Sequence, residues 1–426
     1  MTIFKTLRTL SFSAALVAAP FTLAIAGDNT PAKAGPAAPA EKDAGKFTPA
    51  VTPKPLSGQV NKGLAWLLEH QLPNGAWGQG EEAAGMGQSM EALKDKGNVA
   101  DTCMAALAVI RSGSTPSSGP NAKAVTKALG FVLSEIEKSD ADGLAVTDIR
   151  GTRVQGKIGP FVDTFMSANL LAETKGKIED PALARRHASA LAKVLHKIEK
   201  NQRQDGSFEG QAWAPVLSQA MAAKGLNKAA QVGESVSGEA LKRTEGYAQG
   251  QFDSGKKAFS GEGGAGVNLY SAAASSGALS DSANTRAIEE QVLREEVKNA
   301  KTDKERKQAA ARLEDHDDAR TVRNNVQGAL VEKLADPSFV SGFGNNGGEE
   351  FLSYMLVSES LVTKGGKEWA DWDKSMTANL NRVQNPDGSW TGHHCITGRT
   401  FVTASALLVL TADRAPVPLA AQLKKG

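Results

Sequence analysis

Three segments of this 426-residue chain carry one pattern, Q-x-x-[DN]-G-[AS]-[WF]: Gln71-Leu-Pro-Asn74-Gly75-Ala-Trp77, Gln202-Arg-Gln-Asp205-Gly206-Ser-Phe208 and Gln384-Asn-Pro-Asp387-Gly388-Ser-Trp390. Self-similarity at long spacing marks a chain built from one repeated unit, which restricts the fold more than composition does. The intervals, about 131 and about 182 residues, divide into two and three steps of roughly 60–65, predicting about six units, three of which have lost the signature.

Each copy has the same flanks. Upstream lies an apolar-periodic run, such as Gly63-Leu-Ala-Trp66-Leu-Leu68 or Leu191-Ala-Lys-Val194-Leu-His-Lys-Ile198, with the spacing of one helix face. The Asx-Gly pair then supplies a turn that tolerates the left-handed region and stops the helix. Downstream comes a more apolar, Ala-rich run, such as Asp101-Thr-Cys-Met-Ala-Ala-Leu107 and its echo Asp163-Thr-Phe-Met-Ser-Ala-Asn169. The predicted unit is an αα-hairpin with a polar outer helix and a buried inner helix. Six inner helices are expected to begin near Asp101, Asp163, Ala212, Val267, Glu349 and Arg399.

The Q-x-x-D-G-[AS]-W element ahead of a helix resembles the repeat of the squalene cyclase and protein prenyltransferase superfamily. The resemblance covers roughly residues 57–412 and implies an all-α fold, an α/α toroid of about six helical hairpins in inner and outer layers. It gives Gln71, Trp77, Gln202, Phe208, Gln384 and Trp390 a structural role, bracing neighbouring hairpins. Closing such a ring removes the exposed ends that an open solenoid must cap.

Outside the repeats, residues 1–26 read as a secretory signal peptide: Lys5 and Arg8, an apolar stretch, then Ala24-Ile-Ala26 as a small-x-small cleavage site. Export to the periplasm or the extracellular space is expected, with no stable membrane span. Residues 27–56, rich in Ala, Pro and Lys, read as a disordered linker, and 413–426 as a C-terminal tail. The signal's two basic residues account for the whole formal charge of +2, and a neutral remainder offers no electrostatic footprint for nucleic acid. Residues 280–318 are charge-dense and poor in large apolar residues, so they read as a solvated helical insertion.

Two motifs are read as turns or surface. Asp315-His316-Asp317-Asp318 matches the D-x-D-D acid of the squalene-hopene type cyclases, a chemistry that needs a protonated carboxyl in a dry, aromatic cavity. Here it sits in the charged insertion, where water keeps the carboxylates ordinary. The strings Gly261-Glu-Gly263-Gly-Ala-Gly266 and Gly342-Phe-Gly344-Asn-Asn-Gly347 lack the βαβ context of a dinucleotide fold and read as diverged Asx-Gly turns.

The last loop, Gly392-His393-His394-Cys395-Ile-Thr-Gly398-Arg399, is the most specific feature for function. In the resembled family the prenyltransferases bind zinc through a D-x-C element and a His at the next inner helix. Asp101, Cys103 and His393 or His394 are similar in residue type and position, giving a possible zinc site if ring closure brings units one and six together. The same closure would allow a disulfide between Cys103 and Cys395, the only two cysteines, and the two outcomes exclude each other because a metal ligand must be a free thiolate. Arg150, Arg153 and Arg399 form a possible anion-binding set. The expected function is an exported toroid that binds a hydrophobic or anionic small molecule, or a protein partner, at its central cavity or rim. The alternatives are a zinc-assisted prenyl or alkyl transferase, a cyclase-like enzyme and an envelope scaffold.

Overall fold

The computed structural model describes residues 47–422, apart from 83–90, 211 and 345. The signal-peptide reading of residues 1–26 and most of the linker lie outside the described residues. Among the described residues the fold is all-α. The helices are α1 (Gly58–Glu69), α2 (Val99–Arg111), α3 (Ala122–Lys138), α4 (Arg153–Ile158), α5 (Val162–Thr174), α6 (Pro181–Asn201), α7 (Pro215–Gln231), α8 (Gly238–Gln249), α9 (Asn268–Asn299), α10 (Asp303–Leu334), α11 (Pro337–Val340), α12 (Gly348–Lys364), α13 (Gly366–Val383), α14 (Arg399–Leu410) and α15 (Leu419–Gln422). Among the described residues the sheets are two-stranded: β1 (Phe47–Pro49) with β4 (Pro416–Pro418), and β2 (Phe252–Asp253) with β3 (Ala258–Phe259).

Burial separates two kinds of helix. Every residue of α2 and α5 is buried, and so is nearly all of α7, α12 and α14 and the first half of α9. By contrast, α1, α3, α6, α8 and α13 bury one face only, as expected of amphipathic surface helices. Small residues let the buried helices approach closely. A Cβ added at Gly225 of α7 would stand 2.7 Å from that of Ala168 on α5. The buried helices pack in sequence, α2 on α5, α5 on α7, α7 on α9, α9 on α12 and α12 on α14, and α14 packs back on α2.

The repeated signature forms one local device three times. The side-chain amide of Gln71 donates to the carbonyl of its own turn, Gly75 O at 2.9 Å, and to Ala124 O at 2.9 Å on α3. Gln202 spans Gly206 O and Ala240 O on α8, and Gln384 spans Gly388 O and Gln59 O on α1. The glycines explain the Asx-Gly step. Gly75, Gly206 and Gly388 have φ between +83° and +94°, and an added Cβ would strike the backbone of Lys127, Arg243 and Lys62, so glycine is required twice over. The indoles of Trp77 and Trp390, both fully buried, donate to Leu67 O and Leu380 O at 2.7 and 2.8 Å.

Two boundary readings are corrected. Residues 47–56, read as linker, and 413–422, read as tail, are tied to each other: β1 pairs antiparallel with β4, and Lys54 N donates to Asp413 Oδ2 at 2.7 Å. Pro-rich composition weakens helix but leaves strand pairing open. The insertion at 280–318 is not a separate excursion, because α9 runs unbroken from the buried layer to Asn299 and α10 returns against it. Its first part is buried through polar pairs, with Thr285 Oγ1 donating to Asn227 Oδ1 at 2.7 Å and Arg286 to Glu245 at 2.8 Å.

Buried ion pairs link the buried helices to one another. Arg111 of α2 forks onto both oxygens of Glu173 of α5 at 2.6 and 2.7 Å and reaches Glu359 of α12 at 3.1 Å. Lys224 of α7 meets Asp281 of α9 and Glu359, each at 2.7 Å. Burial alone would raise the Glu359 pKa, but Lys224, Arg111 and Lys228 overrule it and bring it down to about 2.

Candidate metal centre

The first turn of α12 and the loop before α14 are held together by backbone contacts. Gly348 N donates to Ile396 O at 2.8 Å, His393 N to Asn346 O at 3.2 Å, and Ile396 N to Glu349 Oε2 at 3.2 Å. A Cβ at Gly347 or Gly348 would collide with the His394 ring or with Ile396, so the Gly-Gly pair lets the loop close. At the join Cys395 takes φ +55°, an unusual conformation for a non-glycine residue and of the kind found at functional sites.

This geometry brings together Glu349, His394 and Cys395, whose ligand atoms lie within 4.8 Å of one another. Glu349 is fully buried, and its Oε1 has no hydrogen-bond partner. Burial, with Glu350 adding to it, raises the Glu349 pKa to about 7. His394 stands 3.1 Å from Glu350 Oε2, yet neither ring nitrogen has an aligned hydrogen-bond partner. Cys395 and Glu350 together hold the imidazole pKa up to about 10, against the pull of partial burial.

Glu350 is fixed from three other directions. Tyr270 OH donates to its Oε1 at 2.5 Å, Phe343 N to the same oxygen at 2.9 Å, and Gly347 N to Oε2 at 2.9 Å. Burial would raise this carboxyl, but the contacts with His394 and Tyr270 leave it below the ordinary range. Outside the cluster, the Phe343 ring meets His394 edge-on at 5.3 Å and Trp213 at 5.7 Å. Trp213 and Phe343 are the exposed large apolar side chains among the described residues, and Lys157 Nζ lies 5.5 Å from the Trp213 ring centre.

The donor set fits a single soft or borderline cation. A carboxylate, an imidazole and a thiolate are zinc ligands, and orphaned buried acceptors are what a cation would satisfy. The carboxylate of Glu350 beside His394 is the outer-shell partner that orients a ligating imidazole. Closing ligand atoms from within 4.8 Å onto a tetrahedral centre requires shifts of about 1 Å.

The residues anticipated from sequence divide. Of the possible metal ligands only His394 is in the cluster, Asp101, Cys103 and His393 are not, and Cys395, read as a disulfide partner, takes a place in it. Asp101 and Cys103 lie inside α2, where a two-residue step turns side chains about 200° apart. Asp101 is fully buried and accepts from Asn98 Nδ2 at 2.7 Å, and burial, opposed by that bond and helped by Asp163 and Glu82, raises its pKa to about 7. Cys103 faces Ser167 of α5 at 3.8 Å, and burial pushes its thiol pKa up. Both cysteines are free thiols, so the disulfide reading is corrected: one thiol faces a neighbouring buried helix, and the other faces Glu349 and His394. His393 is exposed.

The arginines of the possible anion-binding set all have partners within the protein. Arg153 pairs with Glu82 at 3.1 Å, Arg399 with Asp387 at 2.6 Å, and Arg150 donates to the carbonyls of Thr147 and Ile149. These guanidiniums already have acceptors, Arg399 also reaching Glu81 at 3.6 Å, next to the Glu82 that pairs with Arg153. Asp315 is occupied by Arg286 at 2.9 Å, while Asp317 and Asp318 are exposed, so D-x-D-D has no dry cavity to face. Sequence reading missed Glu349, because an acid in a helix's first turn is ordinary complement to the helix dipole. The available signal was a second ligand-type cluster, Glu349-Glu350, directly after a glycine-rich turn. No protein-family model matches this chain, and no curated protein matches it at a significant level.

Proposed function

We propose that this chain is an exported α/α toroid of the squalene cyclase and protein prenyltransferase type that binds zinc at one rim. Glu349, His394 and Cys395 hold the metal, and an apolar, thiol-bearing ligand docks against Trp213 and Phe343. The toroid reading is supported by the cycle of buried helices that ends with α14 on α2, and by the third Gln brace, which reaches from Gln384 to Gln59 on α1.

The observation that carries the metal reading is the convergence of three ligand types on one point with a buried carboxylate oxygen left unpartnered. Zinc held there supplies a Lewis-acidic centre that lowers the pKa of a coordinated thiol or water, the chemistry of alkyl transfer to sulfur. The protein's own contribution is positional. Glu350 and Tyr270 orient His394, and the Trp213–Phe343 pair gives an apolar group a surface beside it. The ionic interior favours the rim over the ring's centre as the docking place.

Elemental analysis of the purified chain, repeated after chelation and zinc add-back, tests this. The expected result is about one zinc per chain, tetrahedral in type, lost in Cys395→Ser and Glu349→Gln while helical content stays unchanged. A folded wild-type chain that takes up no zinc on add-back would overturn the reading.

A further inference from the structure

A second cavity, of about 390 Å³, lies away from the metal centre, at the C-terminal ends of α5 and α7 and beneath the β1–β4 clasp. Its apolar wall comes from Phe47, Val232 and Pro416, and its polar wall from Lys175, Lys177, Lys228 and Glu173. The charges on that wall are unequal in availability. Both oxygens of Glu173 are taken by Arg111, and Lys175 is held by Glu234 at 2.8 Å and Val232 O at 3.0 Å.

That leaves Lys228 and Lys177. Lys228 is only 6% exposed, yet its ammonium donates to one acceptor, Pro416 O at 3.0 Å. An ammonium carries three donors, and a buried donor without an acceptor costs stability. Burial, with Lys224 and Arg111 contributing, pulls the Lys228 pKa below the ordinary lysine value although Asp281 and Glu359 oppose it. Lys177 is half-buried at the mouth, and among the described residues it forms no ion pair. An anion entering the cavity therefore meets two amines that form no ion pair among the described residues, Asp281, Glu359 and Glu173 acting on them only at longer range.

We propose that this cavity binds a small organic monocarboxylate with an apolar body, its carboxylate on Lys228 and Lys177 and its chain between Phe47, Val232 and Pro416. The volume admits roughly a dozen non-hydrogen atoms and falls in the ordinary range for small-molecule sites. One buried amine with a second at the mouth suffices for a carboxylate, and the apolar wall beside them suits a ligand whose remaining body is uncharged. The occupied site would also stitch the two chain ends together, because Phe47 and Pro416 come from the paired strands β1 and β4.

The test is titration of the full chain with octanoate and with 1-octanol, followed by calorimetry and by melting temperature. Saturable octanoate binding below about 1 mM, in the range open to a ligand of this size, is expected, together with a raised melting temperature. Octanol should bind at least about tenfold more weakly, as for loss of a charge-assisted hydrogen bond. Lys228→Met should show the same loss. Lys177→Glu, at a partly exposed position that leaves folding intact, should weaken octanoate but not octanol. The proposal is overturned if wild-type protein shows no saturable octanoate binding, if octanol binds equally well, or if Lys177→Glu leaves octanoate affinity unchanged. Zinc content plays no part in this assay, so its outcome is separate from that of the rim site.

Discussion

Glu349 and Glu359 stand ten residues apart on α12, about 15 Å along one helix, and resolve the burial of a carboxyl in opposite ways. Glu359 is matched by Lys224 and Arg111, and its pKa falls to about 2. Glu349 has one backbone donor and an orphaned oxygen, and its pKa rises to about 7. The same contrast recurs on α2, where Asp101 in the first turn keeps an unpartnered oxygen and Arg111 in the last turn is fully engaged. On α12 and on α2, then, the carboxyl in the first turn keeps an unpartnered oxygen while a charged group further along the helix is closed by ion pairs. Structural pairs consume their own charge, whereas a site that is to hold a ligand must leave some unspent.

The strongest way to break this comparison is to open a closed pair. Lys224→Met leaves Asp281 and Glu359 facing each other without their shared cation. Removing one partner of a buried pair costs about 3–5 kcal/mol, so urea unfolding should show a loss of that size. A loss comparable to an exposed pair would mean that the interior ions contribute little.

The second is pH. Glu359 has a folded pKa near 2, against the ordinary 4.5, so its contribution is present above about 4.5 and is lost as pH falls towards 2. Asp101 runs the other way. Its folded pKa near 7 lies above the ordinary 3.8, so the folded state holds a proton that the unfolded state has released, and stability declines as pH rises from about 4 to 7. Asp101→Asn should remove a slope of up to about 1.4 kcal/mol per pH unit in that window. Urea midpoints at pH 4, 5.5 and 7 measure it, and an unchanged slope in the variant would show that Asp101 titrates as an ordinary acid.

The repeat was legible because its determinants are local. A Gln, an Asx-Gly turn and an aromatic within seven residues specify where one helix stops, and the six buried helices begin at Val99, Val162, Pro215, Asn268, Gly348 and Arg399, close to the positions expected. The candidate site was half legible. The His393-His394-Cys395 loop stood out by composition, but its partner depended on which neighbouring helix the loop would close against. Gln384 does reach Gln59 on α1, and α14 packs on α2. The loop nevertheless turns its thiol towards α12, following the backbone bonds from Gly348 and Ile396. Register of that kind is set by long-range packing and leaves no mark in a single loop's sequence. The insertion misled for a related reason: Asp281, Asn284 and Thr285 look solvated by type but are buried, and Asp281 and Thr285 find partners on α7.

A smaller effect tests the open side. Glu349→Gln, in chelator at pH 8, removes a buried carboxylate that has little compensation, so stability should stay within about 1 kcal/mol of wild type, the helix-dipole loss and the desolvation gain offsetting each other. With zinc added, the wild type should gain stability and the variant should not. Equal behaviour of both proteins with zinc would separate Glu349 from any metal role.

The smallest expected effect fixes the baseline. Asp317 is exposed and pairs with Arg320 at 2.5 Å across one helical turn, an arrangement that contributes little because water screens it and both side chains lose rotamer freedom. Asp317→Ala should change unfolding stability by no more than about 0.5 kcal/mol and leave zinc content untouched. The residue belongs to D-x-D-D, so it also weighs sequence motif against setting. If the substitution abolished a measured activity without unfolding the chain, the solvated reading of the α9–α10 hairpin would fail, and the acid chemistry associated with that motif would have to be placed there.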